Sequence, residues 1–333
     1  MNKINTHITI NGYIPSLLEG LKTNGVNPDQ FLRSSYFKKL DLHDPDKYIP
    51  NILLDELLTT ISDKLGIDCL AAEFNEHFKA TKMGRISRYI YKSPNFLSFL
   101  ETVIKYQKYI RTNYSAQLQI NGPVSKFSVK INGDRNRGQL ISEEIDISRI
   151  LDAFVFVGGN SFTPVELGIT ADNTYRLESI FPKGDYQIKL NQDESWIVFD
   201  TSLLTKEIPD ILEEPIRSEL KEHHITEFRV ERLLESFKSG YIPNLDEIAD
   251  MFSVSRRTLE RNLQLEGTGF AEIKKRYLQR RSYELLGNSK LSVKEIAERL
   301  NYSNSQNFIR TFKSWIGMSP NEYRLKSFRT SAH

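Results

Sequence analysis

Two stretches near the C-terminus repeat one another, and the repeat limits what this part of the chain can fold into. "LDEIADMFSVSRRTLERNL" (245–263) is followed some 48 residues later by "VKEIAERLNYSNSQNFIRTF" (293–312). Glu247-Ile248-Ala249 matches Glu295-Ile296-Ala297, Phe252 matches Leu300, and Ser255 matches Ser303. After a one-residue slip, Leu259, Arg261 and Leu263 match Phe308, Arg310 and Phe312. Each copy opens with a capping box, Asn244 with Glu247 and Ser292 with Glu295, whose two residues satisfy each other's otherwise orphaned amides. The small alanine lets a second helix pack closely, and a turn of about four residues precedes that helix. A helix, a short turn and a helix, present twice, is the layout of paired helix-turn-helix units, here about 244–265 and 292–315.

Between the copies, "FAEIKKRYLQRRSYELLG" reads as a linker helix over 270–286. Phe270, Ile273, Tyr277 and Leu285 give it a core stripe, and Lys274, Lys275, Arg276, Arg280 and Arg281 a basic side. Such a helix is a rigid spacer that can hold both second helices on one side of a DNA duplex, whose successive major-groove segments lie about 34 Å apart. In the second copy Phe308, Phe312 and Trp315 form the inner face, leaving Ser305, Gln306, Asn307 and Arg310 outward. In the first copy the outward residues are Arg256, Arg257, Glu260 and Arg261, with Gln264 further along. Asn and Gln suit the N6/N7 edge of adenine, and Arg the O6/N7 edge of guanine. Glu260 can accept from cytosine N4 or orient a neighbouring arginine. Gln306 has a second reading, as the partner of Ser303 in a capping box. Gln264, Lys274, Lys275, Arg280 and Lys313 are candidate phosphate contacts, although the basic side of the linker helix reads equally as a solvated face.

Charge is distributed to match. The chain carries 45 Lys+Arg and 43 Asp+Glu, but from His223 to His333 the counts are 19 and 13. A basic module that meets a polyanion, joined to an acidic remainder that does not, fits this asymmetry. The 333 residues predict two domains, with the boundary in the charged, Pro-containing segment at about 209–224. Residues 1–222 read as α+β, and 225–333 as all-α. Helices are expected in "IPSLLEGLKTNGV", in "PNILLDELLTTISDKLG" and in "SPNFLSFLETVIKYQKYI", the last with Ser93 as N-cap. "SAQLQI" and "SKFSVKI" flank Asn121-Gly122-Pro123 as a hairpin, "GDRNRG" (133–138) is a polar loop, and "IDISRILDAFVFVG" (145–158) is helical. "PVELGI", "YRLESIF", "YQIKL" and "SWIVFD" read as short strands, and "TEFRVERLLESFKSG" as a helix closed by Gly240.

Chemistry-bearing motifs are sparse. The single cysteine, Cys69, excludes an internal disulfide and a multi-cysteine zinc site, and reads as a buried thiol. No Ser-His-Asp order, paired-carboxylate site or metal-ligand spacing stands out, so no catalysis, cofactor or metal is expected. Arg135 and Arg137 in the polar loop have an anion-holding alternative beside the plain-loop reading. His223-His224 reads as exposed linker. No apolar run is long enough for a membrane span, and the N-terminus lacks a signal-peptide core, so the cytoplasm is the expected location.

"SRRTLERNLQLEGTGFAEIKKRYLQRRSYELL" followed by "SVKEIAERLNYSNSQNFIRTFKSWIGMSPNEYR" resembles the AraC/XylS family of bacterial transcription regulators, over about 225–328. The closing "FKSWIGMSPNEYR" is its most specific part. The resemblance implies a sequence-specific activator of transcription bound to double-stranded DNA, with RNA polymerase a further partner. It also implies base contacts from Arg256, Arg257, Glu260, Arg261, Ser305, Gln306, Asn307 and Arg310. The first domain resembles the arabinose-operon-type effector domain of the ornithine-regulator branch, through "SFTPVELGITADNTYRLESIFPKGDYQIKLNQDESWIVFDTSLLTKEIP". That implies small-molecule sensing or homodimer formation, and names no ligand or ligand-binding residue. Two alternatives stay open: control by a protein partner without a ligand, and an enzyme carrying a DNA-targeting module, which Cys69 alone does not equip.

Overall fold

The computed structural model describes residues 7–32, 34–133, 136–159, 162–172, 180–209, 225–288 and 290–330. The chain divides into two compact units. One holds His7–Phe37 and Leu42–Glu222; the other holds His223–His333 together with Lys38–Asp41. The expected linker at 209–224 and the strand in "YRLESIF" fall almost wholly outside the described residues, as do Arg135 and His223-His224.

The N-terminal unit begins with β1 (Ile8–Ile10), α1 (Tyr13–Thr23) and α2 (Ser35–Lys39), whose last two residues belong to the other unit. Then come β2 (Tyr48–Pro50), α3 (Asn51–Leu65), α4 (Leu70–Glu73), α5 (Arg85–Tyr91) and α6 (Phe96–Ile110). β1 and β2 form a small antiparallel sheet that the helical reading of this region did not anticipate. α3 stops at Gly66, whose φ of 64° is the left-handed cap that favours glycine. Ser93 is not the N-cap of α6. Asn95 is, accepting from the Ser98 amide at 2.9 Å, because its carbonyl oxygen stands next to the first turn; Ser93 Oγ meets Thr102 Oγ1 at 3.4 Å.

β3 (Tyr114–Asn121) and β4 (Val124–Ile131) form the expected hairpin, turning at Gly122 with φ of 63°. α7 follows (Arg137–Gly158), then β5 (Glu166–Gly168), β6 (Gln187–Lys189) and β7 (Ser195–Asp200). The five-stranded sheet runs β3-β4-β7-β5-β6, antiparallel except between β5 and β6. α7 starts eight residues before the expected 145. Asn136 caps it by accepting from the Gln139 amide at 2.8 Å, so Arg137 and Gly138 leave the expected loop. Gly138 is required there, since a Cβ would lie 2.2 Å from the Asp55 carbonyl oxygen on α3. Arg137 is paired with Asp63 at 2.8 Å, which accounts for it without an anion. Phe96, Phe127, Phe154 and Phe199 bury the layer between helices and sheet, and the Phe96–Phe154 and Phe154–Phe199 rings meet edge to face at 4.8 and 4.9 Å. Cys69 is buried, and burial pushes its thiol up to about 12.

The C-terminal unit is built from α8 (Ile225–Glu235), α9 (Leu245–Met251), α10 (Arg256–Leu265), α11 (Phe270–Asn288), α12 (Val293–Arg299), α13 (Ser305–Ile316) and α14 (Pro320–Thr330). α8 ends five residues before Gly240. Phe237 pairs instead with Leu40 in an antiparallel bridge, Asp41 donates its amide to Ser236 O at 2.8 Å, and Lys238 donates to Lys39 O at 2.8 Å. Backbone partners from a distant part of the chain thus replace the last helical turn. A second difference lies in α11, where a single apolar stripe was expected. Ile273 and Tyr277 are buried together, and so are Ser282 and Leu286, while Leu285 is only half-buried. At about 100° per residue, Leu286 points roughly 140° away from Ile273. The helix therefore turns opposite sides inward at its two ends. Leu286 joins the core of Ile296, Ala297, Leu300, Phe308 and Phe312, against which Trp315 packs half-buried.

Candidate nucleic-acid interface

Each repeat builds a recognition helix on a capped scaffold helix. In the first, the Asn244 side chain accepts from the Glu247 amide at 2.9 Å and Glu247 accepts from the Asn244 amide at 3.0 Å. In the second, the Ser292 hydroxyl accepts from the Glu295 amide at 3.2 Å and Glu295 accepts from the Ser292 amide at 2.7 Å. Both capping boxes read from the sequence are formed.

The turns explain the one-residue slip. Each places a non-glycine residue in the left-handed region two positions past its scaffold helix: Ser253 at φ 52° and Asn301 at φ 58°. The next amide closes back on the repeated alanine of its own helix, Val254 to Ala249 O at 3.0 Å and Tyr302 to Ala297 O at 2.9 Å. Ser255 then caps α10, but the cap of α13 is Asn304, not Ser303. The second turn is one residue longer, and beyond it Leu259 and Leu263 stand where Phe308 and Phe312 stand, all fully buried. Gln306 completes no capping box. Asn304 accepts from the Asn307 amide at 2.8 Å, and Gln306 is exposed.

The outward positions fall into two groups. Arg257, Arg261 and Gln306 are exposed and make no side-chain hydrogen bond or ion pair among the described residues. The others are held by neighbours. Arg256 Nε donates to Glu260 at 2.9 Å and its terminal nitrogen to Asp246 at 3.1 Å; these carboxylates hold its pKa above the usual arginine value. Glu260 therefore orients Arg256, one of the two roles open to it. Arg310 donates to Asn307 Oδ1 at 3.1 Å, and Asn307 donates to Ser303 Oγ at 2.7 Å. Ser305 opens α13 and is half-buried.

Among the candidate phosphate contacts, Gln264, Lys275 and Lys313 are exposed. Lys274 is half-buried, and that burial lowers its pKa. Arg280 is paired with Glu235 of α8, and Arg276 with Glu227 and, at 3.6 Å, Glu231 of the same helix; Arg281 meets Glu284 at 2.6 Å. Much of the basic side of α11 thus fastens α8. Glu266, at the end of α10, fastens the other end of α8 by accepting from the Thr226 amide at 2.8 Å and the Glu227 amide at 2.9 Å. At α14, Ser319 and Glu322 exchange capping bonds, and Arg324 donates to Leu291 O at 2.5 Å.

One contact was not legible in the sequence. Lys39 Nζ lies 2.7 Å from Glu247 Oε1, 2.8 Å from the Tyr241 hydroxyl, and 4.6 Å from that ring's centre. The capping carboxylate of the first scaffold helix is thereby shared with a lysine 208 residues earlier in the chain. No local pattern marks Lys39 for this role.

The family model described as a helix-turn-helix domain matches residues 248–326. The ornithine utilization regulator of Pseudomonas aeruginosa is 19% identical over 324 residues, covering 94% of this chain and 95% of that protein. The transcriptional regulator VqsM of the same organism is 33% identical over 96 residues, 29% of either chain. The transcriptional activator RhaS of Escherichia coli is 39% identical over 85 residues, which are 24% of this chain and 30% of that one. The stronger identities thus cover only 85 to 96 residues, and the likeness to the ornithine regulator runs nearly the length of both chains at lower identity. The C-terminal unit is a helix-turn-helix domain of the AraC type.

Proposed function

We propose that this chain, a DNA-binding transcription regulator with an AraC-type helix-turn-helix domain, recognises a specific duplex sequence through two recognition helices and activates transcription under control of its N-terminal unit. The observation that carries the reading is the pair of capped repeats joined by one continuous helix, each presenting a polar face opposite a fully buried apolar one. Arg257, Arg261 and Gln306 are the first base readers, already exposed to solvent. Arg256, Glu260, Asn307 and Arg310 form two orienting networks that set where a guanidinium meets a base edge, and Ser305 stands beside the second of them. Lys275, Lys313 and Gln264 serve the phosphates. The activator reading follows the role of RhaS as a transcriptional activator, with RNA polymerase as the partner contacted at the promoter, in the cytoplasm. In the N-terminal unit a small molecule or a second copy of the chain sets the DNA-competent population. A dimer brings four recognition helices to paired half-sites.

Selection of binding sites from a random duplex pool by the full chain tests this. The expected product contains two short conserved blocks whose centres lie about one helical turn, roughly 10 base pairs, apart. An unenriched pool, or a single block unaffected by Gln306→Ala, overturns the two-helix reading.

A further inference from the structure

The five-stranded sheet of the N-terminal unit ends in two edges of different character. β6, at one edge, is three residues long and carries Lys189, which is paired with Glu166. A short, charged edge strand discourages pairing with another chain. β3, at the other edge, is eight residues long and reads "YSAQLQIN", without a charge or a proline. Such an edge is a template for a further strand.

The hairpin register shows which part of β3 is open. Asn121 and Val124 close the two-residue turn, so Asn121, Gln119, Gln117 and Ser115 bond to β4, while Ile120, Leu118, Ala116 and Tyr114 direct their amides and carbonyls outward. Two of these amides are used within the unit. Ala116 donates to Gln107 Oε1 of α6 at 2.5 Å, and Tyr114 donates to Arg111 O at 3.1 Å. Among the described residues nothing takes the outward amides of Leu118 and Ile120. The open stretch is therefore 117–121, bounded by Gln107 at Ala116 and by the turn at Gly122, and Gln119 stands at its centre.

That stretch is complementary to itself. Gln117, Gln119 and Asn121 are exposed on one face, and each carboxamide both donates and accepts. On the face shared with the buried Ala116, Leu118 is half-buried and Ile120 is 52% exposed. Antiparallel pairing of two copies about a two-fold axis at Gln119 sets Gln119 against its own copy, Gln117 against Asn121, and Leu118 against Ile120. Amide then meets amide, and the exposed isoleucine meets an apolar neighbour. The repulsion that usually attends a strand set against its own copy is absent, because no charge faces a like charge. An unrelated strand gains nothing from this symmetry, so the match points to a second copy of this chain.

We propose that the β3 edge is the homodimer surface of the N-terminal unit, two copies of the chain joining their sheets antiparallel through residues 117–121. The proposal rests on the reading in which a second copy of the chain acts through this unit, and names the surface that it uses. Sedimentation velocity of the full chain at tens of micromolar, beside Gln119→Lys and Gln119→Asp, tests it. The wild type should sediment as a dimer. Each variant sets like charges against each other across the axis and should dimerise at least about tenfold more weakly. An equimolar mixture of the two variants should recover the dimer, which neither a folding defect nor a distant interface would do. Gln119→Cys should also cross-link on mild oxidation, since residues opposed in a non-hydrogen-bonded pair have Cα atoms about 4.5 Å apart, within disulfide reach. Gln117→Cys, opposed to the partner's Asn121, should not. The native thiol of Cys69 is buried and takes no part. Charged variants that remain dimers, a mixture that does not recover, or cross-linking from 117 as readily as from 119 overturns the surface and leaves the dimer reading standing. A strictly monomeric wild type overturns both, while site selection from the duplex pool judges the DNA reading separately.

Discussion

Arg256 and Arg257 are neighbours in sequence and alike in charge, yet the fold holds them differently. Arg256 is fixed by Asp246 and Glu260, whereas Arg257 projects without a partner among the described residues. Arg257→Ala and Arg261→Ala should each lower discrimination between the selected site and random duplex by on the order of 1–3 kcal/mol. Arg256→Ala should cost less, because its guanidinium must leave two carboxylates before it can bind a base. Competition anisotropy on both duplexes checks the order, and an equal loss for all three refutes it. The other residue-scale prediction concerns Asp146. Burial raises its folded pKa to about 7 from the ordinary aspartate value of 3.8. Between these values the folded state keeps a proton that the unfolded chain has released. Stability therefore falls as pH rises from about 4 to about 7, and Asp146 adds no further dependence above that. Asp146→Asn should flatten this part of the profile and be relatively more stable at pH 8 than at pH 5. Urea midpoints at the two pH values measure it, and an unchanged slope refutes it.

At the scale of elements, two helices of nearly identical plan are joined by turns of different length. The first-turn residue in the left-handed region is a serine, the second an asparagine, which tolerates that region better. Ser253→Gly should therefore stabilise the C-terminal unit by roughly 0.5–1 kcal/mol, and Asn301→Gly by less. Equilibrium unfolding of both variants decides it; destabilisation by Ser253→Gly means the serine side chain matters more than the backbone strain. The linker helix teaches a related point. Its apolar residues look like one imperfect stripe because two cores draw on it from different sides. Its arginines look like a DNA-facing surface, yet Arg276 and Arg280 face the glutamates of α8. The pattern along one helix records which residues are buried or charged, but not which neighbour uses them.

For the whole molecule, the described residues enter the C-terminal unit twice, once as Lys38–Asp41 and again from residue 225. That short segment supplies a backbone bridge to Phe237 and a charged partner to Glu247. A fragment of 225–333 lacks both, so it should bind duplex DNA but melt lower than the same unit in the full chain. In the full chain, Lys39→Met should destabilise the C-terminal unit by roughly 1 kcal/mol, a modest figure because the pair is about a third exposed and screened by water. Calorimetric melting of the wild type and the variant reads it. A melting point unchanged at low salt would show that the bridge, not the ion pair, does the holding.

The sequence by itself determined the repeat, both capping boxes, the buried Phe308 and Phe312 faces, the hairpin at Gly122 and the polar residues opposite each core. These follow from local rules, since caps, turns and helical periodicity depend on residues within about one turn of each other. It could not place Asn304 rather than Ser303 as the second cap, because either side chain suits that role and only the packing of Phe308 against Ile296 chooses. Nor could it show α8 ending at Glu235, Arg280 facing Glu235, Lys39 reaching Glu247, or Asp146 meeting the buried Arg111. Each of these is decided by partners that the chain brings together from far apart, and burial, rather than residue type, sets their chemistry.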